Sequence, residues 1–275
     1  MYFAICNELF EGKPLAEYLP FLRDLGYTGL EVAPFALPKH VAEMTAAEAR
    51  AAGDEIRAAG LQVVGMHWLL ARTQGLHINS PDREARDRAA DYMARLIRRC
   101  GDMGGSVMVF GSPQQRAILP GVSERDAWDW AVHFFQRVAP VAEEEGVTIA
   151  FEPLARDGNN FIWTAEQGMR LVRQVGHPSV RLHLDVRAMS DEGRPLPDII
   201  HEARPYLAHF HANDGDLGPG MGKIDYHPIF AALREVGYGG WVSVEPFDYS
   251  PGAEALARQS IAYMTQVQSD LEGGR

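Results

Sequence analysis

The chain has 275 residues, 46% of them hydrophobic, which supplies one large core and excludes a disordered chain. Its 37 acidic and 26 basic residues leave a net charge of -11, which disfavours a general nucleic-acid or membrane-binding surface while leaving room for a small local basic groove. The opening "MYFAICNELF" has no basic leader or long apolar segment, and Cys6 and Cys100 read as two reduced, buried thiols, so a soluble cytoplasmic protein is expected.

In chain order, the apolar runs predict strands at Tyr2–Cys6, Gly29–Val32, Gln62–Met66, Ser106–Phe110, Thr148–Phe151, Arg181–Leu184, Leu207–Phe210 and Trp241–Val244. Amphipathic stretches fill the gaps. In "PLAEYLPFLRDLG", Leu15, Tyr18, Leu19, Leu22 and Leu25 form one stripe and Gly26 ends it. "SERDAWDWAVHFFQRVAPVAEEEG" starts at Ser123, and Pro140 puts its second half in question. "TAEQGMRLVRQVG" pairs Thr164 with Gln167 as a capping box. Eight β-then-α units without a break in composition predict a single α/β domain over residues 1–275, a closed (β/α)8 TIM barrel. The rival open doubly wound sheet would open with Gly-x-Gly-x-x-Gly, which is missing, and so is any nucleotide-binding motif. "DLEGGR" reads as a loose tail.

Active sites of such barrels gather at the C-terminal strand ends. Glu152, Asp185, His211 and Glu245 end the last four predicted strands, so their side chains should converge. Three carboxylates packed together repel, and protons or a divalent cation must relieve them. Oxygen-rich ligation with one imidazole suits Mn²⁺ or Mg²⁺, with Co²⁺ or Zn²⁺ as alternatives. Taken singly, Asp185 reads equally as a helix cap and His211 as a core histidine. Pro153 and Pro246 hold Glu152 and Glu245 in extended geometry at the last strand position, where a pair of fixed carboxylates can take and return protons. Glu8 and Glu31 are further carboxylates at strand ends, and His183 is expected to face away from the site.

These residues, with "ICNE", "GLEVAPF", "HWLL", "GLHI", "VFGSPQQR", "LDVRAM", "HFHAND" and "WVSVEPFDYSPG", make the whole chain resemble the xylose-isomerase-like, or sugar phosphate isomerase/epimerase, superfamily. That superfamily includes ketose 3-epimerases, hydroxypyruvate isomerase, dehydratases, decarboxylases, 3-keto-glycoside lyases and an AP-endonuclease branch. The resemblance implies that Glu152, Asp185, His211 and Glu245 hold the metal. It also implies that Glu152 and Glu245 shuttle protons through a cis-enediolate. Gly158 and Ala188 depart from the ketose 3-epimerases, which carry a glutamate and a histidine there, and "ANDGDLGPGMG" lacks their arginine.

The remaining strand ends supply candidate substrate contacts: His67 and Trp68, Arg116 in "VFGSPQQR", Arg187 and Asn213. Each has a plainer reading: a core histidine, a loop ion pair, or a neutralising partner of the carboxylates. The expectation is a metal-dependent isomerase or epimerase acting on a ketose or related oxo-sugar. The alternative is a lyase (decarboxylase or β-eliminase) acting on a 3-oxo sugar acid or 3-keto glycoside, with Arg187 as the anion's partner. The partner is a small carbohydrate or sugar acid, with no nucleic acid and no membrane. A nuclease is disfavoured by charge, and a silent binding protein would have no use for two proton-transfer carboxylates. The resemblance suggests a homodimer or homotetramer, and the aromatic "DAWDWAVHFFQ", with Trp128 and Trp130, offers apolar surface for one.

Overall fold

Eight short strands rich in Val, Ile, Leu and Phe are too apolar to face water, and they close on one another in the computed structural model, which describes residues 1–273. They are β1 (Tyr2–Cys6), β2 (Gly29–Val32), β3 (Gln62–Met66), β4 (Val107–Phe110), β5 (Thr148–Phe151), β6 (Val180–Asp185), β7 (Leu207–Ala212) and β8 (Trp241–Val244). The ladder runs β1 to β8 in sequence order, and β8 returns parallel onto β1, pairing Ala4 with Ser243. This is the expected TIM barrel.

The helices are α1 (Leu15–Leu25), α2 (Ala46–Ala58), α3 (Arg83–Met103), α4 (Pro113–Arg116), α5 (Glu124–Glu144), α6 (Ala165–Val175), α7 (Val186–Ser190), α8 (Leu196–Ala203), α9 (His227–Glu235) and α10 (Ala253–Gly273). Gly26 ends α1 at φ 104°, a left-handed conformation that costs glycine little. The Thr164–Gln167 capping box opens α6. Pro140 does not divide α5, which runs through it as one helix. The tail is also helical as far as Gly273; Gly274 and Arg275 lie outside the described residues. Among the described residues no helix is long and apolar enough to cross a membrane.

Alternation decides what fills the barrel. On β7, Phe210 and Ala212 belong to the hydrophobic cluster while His209 and His211 meet Glu31 from β2. On β6, Leu182 and Leu184 pack in that cluster while His183 and Asp185 pair in register with His209 and His211. The barrel axis is therefore lined by buried imidazoles and carboxylates beneath the C-terminal face, where a TIM barrel ordinarily stacks branched aliphatic side chains. Cys6 and Cys100 are both buried and unpaired.

Candidate metal centre

Glu152 and Glu245 stand one residue beyond β5 and β8. Each backbone N–H still donates across the ladder, to the carbonyls of Phe110 (3.2 Å) and Ala212 (3.1 Å). The prolines that follow have no N–H to extend the ladder, so each side chain is delivered where pairing stops. Asp185 ends β6 and caps α7: its Oδ1 accepts the Ala188 N–H at 2.9 Å, and its Oδ2 accepts from Asn213 Nδ2 at 2.6 Å. The cap and the place in the cluster are thus compatible. His211 lies inside β7, with Nδ1 2.8 Å from Glu245 Oε2 and Nε2 3.0 Å from Glu31 Oε1. All four residues are buried.

Residues 183 and 185 are two apart on one strand and therefore share a face, so the expectation that His183 points away is corrected. Glu152, His183, Asp185 and His211 each offer one ligand atom, and these atoms lie within 4.8 Å of one another. The His183 ring is 4.2 Å from that of His211, with its Nε2 3.9 Å from Glu152 Oε1. His209 gives its Nε2 to Glu31 at 2.7 Å. Neither His183 nor His209 was picked out from sequence, although the alternation in "LHLD" and "HFH" carried the signal.

The charges are in tension. Burial, then the nearby Glu245 and Asp185, push the Glu152 carboxyl well above the usual range. Burial and Glu245 push Asp185 up to about 6. Burial opposes ionisation of Glu245 as well, but His211 and His67 more than offset it and hold Glu245 low. Burial would neutralise His211, yet Glu31 and Glu245 raise it well above an ordinary histidine. Glu31 is held well below its usual range, the two histidines outweighing its burial, while burial keeps His209 lowered, so His209 donates as a neutral ring. The raised Glu152 and His211 thus favour added positive charge at the point where a cation would supply it.

A divalent ion fits these residues. Glu152, Asp185, His183 and His211 offer two carboxylates and two imidazoles within 4.8 Å, Glu245 adjoins them through His211 at 2.8 Å, and both His183 ring nitrogens and Asn213 Oδ1 are buried without hydrogen-bond partners. At the end of β4, a Cβ on Gly111 would come within 2.3 Å of Glu152 Oε2, so glycine leaves the space in which that carboxylate sits. Cys6, Glu8, His67 and Glu245 form an adjoining group. Burial pushes the Cys6 thiol up to about 12, so it offers no thiolate at neutral pH.

A cavity of about 200 Å³ opens above the cluster, its wall including His67, Trp68, Glu152, Asp185, Arg187 and Glu245. His67 Nε2 is tied to Glu8 Oε2 at 2.7 Å, so His67 reaches the cavity already oriented. Arg187 lines it too, with its Nε bonded to Asp216 at 2.8 Å and its guanidinium 5.4 Å from the Phe247 ring centre. Two expected substrate contacts are corrected. Arg116 is fully buried and spends its guanidinium on the carbonyl oxygens of Glu152 (2.5 Å) and Ile162 (3.4 Å), bracing the loop under Glu152. Asn213 is fully buried behind Asp185, which it orients. Asp214 accepts the N–H groups of Gly222, Lys223 and Ile224 and so ties up its own loop.

A barrel with this ring of carboxylates and imidazoles on its C-terminal face defines a class. The xylose isomerase-like TIM barrel family matches residues 19–267, and the chain belongs to it. The chain is 31% identical over 177 residues to a D-psicose 3-epimerase of Ruminiclostridium cellulolyticum, covering 62% of this chain and 59% of the relative. It is 34% identical over 138 residues to a D-psicose 3-epimerase of Agrobacterium fabrum, covering 50% of this chain and 45% of the relative. The chain thus spans about half the length of these relatives. A 3-dehydro-D-guloside 4-epimerase of Escherichia coli is 23% identical over 265 residues, 94% of this chain and 97% of that one. Among solved structures, an L-ribulose 3-epimerase superposes with TM-score 0.86 at 22% identity, covering 100% of this chain and 97% of the other.

Proposed function

We propose that the chain is a divalent-metal-dependent epimerase or isomerase of a ketose or related oxo-sugar. In this reading Glu152, Asp185, His211 and Glu245 hold the ion, and Glu152 and Glu245 move the protons. The buried convergence of Glu152, Asp185 and His211, whose ligand atoms lie within 4.8 Å of one another, with Glu245 Oε2 2.8 Å from His211 Nδ1, carries it. The relatives named above support it, because in each name the carbon inverted adjoins a carbonyl carbon. Mn²⁺ or Mg²⁺ suits the donor set best. Two buried, unpaired thiols fit a reducing cytoplasm.

A bound divalent ion polarises a carbonyl and its neighbouring hydroxyl and so acidifies the carbon between them. The chain supplies the rest. One of the two glutamates takes the proton from that carbon, leaving the planar enediolate of the sugar, and the other returns a proton to the opposite face. Glu31 and Asn213 hold His211 and Asp185 in place. His67, steadied by Glu8, meets a sugar hydroxyl, and Trp68 faces the sugar's apolar side.

Incubation with Mn²⁺ in D₂O and candidate ketoses should place deuterium on the carbon beside the carbonyl. Glu152→Gln and Glu245→Gln should each cut that exchange by about 10²–10⁴-fold while still binding Mn²⁺, more weakly. Near-normal turnover by either metal-loaded variant would overturn the two-carboxylate mechanism.

The cation of Arg187 at the cavity wall favours a second reading, a lyase acting on an oxo sugar acid. Release of CO₂ or of a leaving group would identify it. Arg187→Met should then hurt an acid substrate about tenfold more than a neutral ketose, whereas equal losses would assign Arg187 to bracing Asp216.

A further inference from the structure

A second cavity, of about 360 Å³, adjoins the first and shares with it Trp68, Ser112 and Pro113; its remaining wall includes Glu8, Arg72 and Tyr249. A substrate reacting between Glu152 and Glu245 therefore has room for a further group past Trp68. The wall is built at a cost, since Trp68 (φ 53°) and Arg72 (φ 60°) both hold left-handed backbone that side-chain-bearing residues avoid. Arg72 pairs with Glu11 and lies 3.9 Å over the Phe35 ring, which fixes the outer lip. Glu8 lines the cavity, with its Oε2 on His67 and its Oε1 without a hydrogen-bond partner. Tyr249 is 43% exposed, so its ring is open to a molecule in this cavity.

We propose that this second cavity is a subsite for a second sugar ring, so that the substrate is an oxo-glycoside, with the oxidised ring in the first cavity and its glycosidic partner in the second. The proposal rests on the oxo-sugar reading above. Aromatic walls of Trp68 and Tyr249 suit the C–H face of a pyranose, and Glu8, Gln114 and Gln115 suit its hydroxyls. A phosphate is disfavoured, because two carboxylates, Glu8 and Glu11, face the single cation of Arg72, which Glu11 already neutralises. A lipid chain is disfavoured by the same polar groups.

The test compares a 3-oxo disaccharide with the matching methyl 3-oxo-glycoside by calorimetric titration of the full-length, Mn²⁺-loaded protein. The reacting ring is common to both, so the difference reads the second ring alone. The disaccharide should bind at least about tenfold tighter. Ala71→Trp, which fills the second cavity from its wall, should reduce that preference to less than about threefold, and the milder Tyr249→Ala should lower it by about threefold or more. Equal affinities in the parent protein, or a preference that survives both substitutions, would overturn the subsite. Deuterium exchange separates this outcome from failure of the oxo-sugar reading. Binding preference without exchange sinks the chemistry and leaves the subsite standing. Exchange with no preference for the disaccharide sinks the subsite alone.

Discussion

Glu31 sits under the proposed metal site with almost no solvent contact and bridges His209 and His211. By occupying His211 Nε2 it leaves Nδ1 as the nitrogen directed at Glu245. Glu31→Gln should therefore weaken Mn²⁺ affinity by about 10–100-fold, read by the free Mn²⁺ resonance signal in a titration, without changing which sugar carbon exchanges. Unchanged affinity would reduce Glu31 to balancing charge. The positions of Glu152, Asp185, His211 and Glu245 were legible in the sequence because strand-end spacing maps directly onto the barrel rim. His183 was misread although period-two alternation settles it. Arg116 and Asn213 could not be placed from sequence, because whether a side chain turns into a cavity or behind its wall depends on contacts from distant residues such as Ile162 and Asp185.

At the scale of elements, neighbouring strand ends must leave room for one another. Gly111, just past β4, accommodates the Glu152 carboxylate that follows β5. Gly111→Ala should displace that carboxylate and lower Mn²⁺ affinity by about tenfold while leaving the barrel folded, since the atom met is the far end of a flexible side chain. Gly65→Ala is a different case, because the new Cβ would lie 1.7 Å from the backbone carbonyl oxygen of Val107 on β4. It should cost about 1–3 kcal/mol or more in chemical denaturation, since neither strand can yield without opening the ladder. The strands were legible to within one or two residues because each is a bounded apolar run. Short α4 and α7 were not, since four or five residues hold little more than one turn of periodicity. Pro140 suggested a break that α5 does not show, the buried Val138, Ala139 and Ala142 holding the helix together across it.

For the molecule as a whole, the cluster couples stability to pH. In the metal-free protein Asp185, raised to about 6, and the raised Glu152 and His211 bind protons more tightly when folded than when unfolded. Their contribution is therefore present at low pH and lost as pH rises through the folded values. The stability these groups contribute should fall as pH rises through the Asp185 value of about 6 and beyond, opposed by the lowered His183 and His209, while the Tm increment given by saturating Mn²⁺ grows as the ion replaces those protons. Scanning fluorimetry reads both, and a pH-independent increment would place Mn²⁺ elsewhere. Trp128 bonds Gln174 and stacks under Arg170, and Arg86 covers Trp130, so both rings find partners within the chain.

The closed ladder divides its labour by halves. The four proposed ligands all come from β5 to β8, whereas Glu8, Trp68, Arg72 and much of the second cavity's wall come from the loops after β1 and β3, with Tyr249 reaching over from β8. In the proposed reading the metal ligands thus lie on the second half of the chain, and much of the second cavity's wall on the first. A recombinant that keeps residues 146 onward, takes its first half from a relative and retains Glu31 should keep proton exchange while shifting toward the donor's preference for sugars.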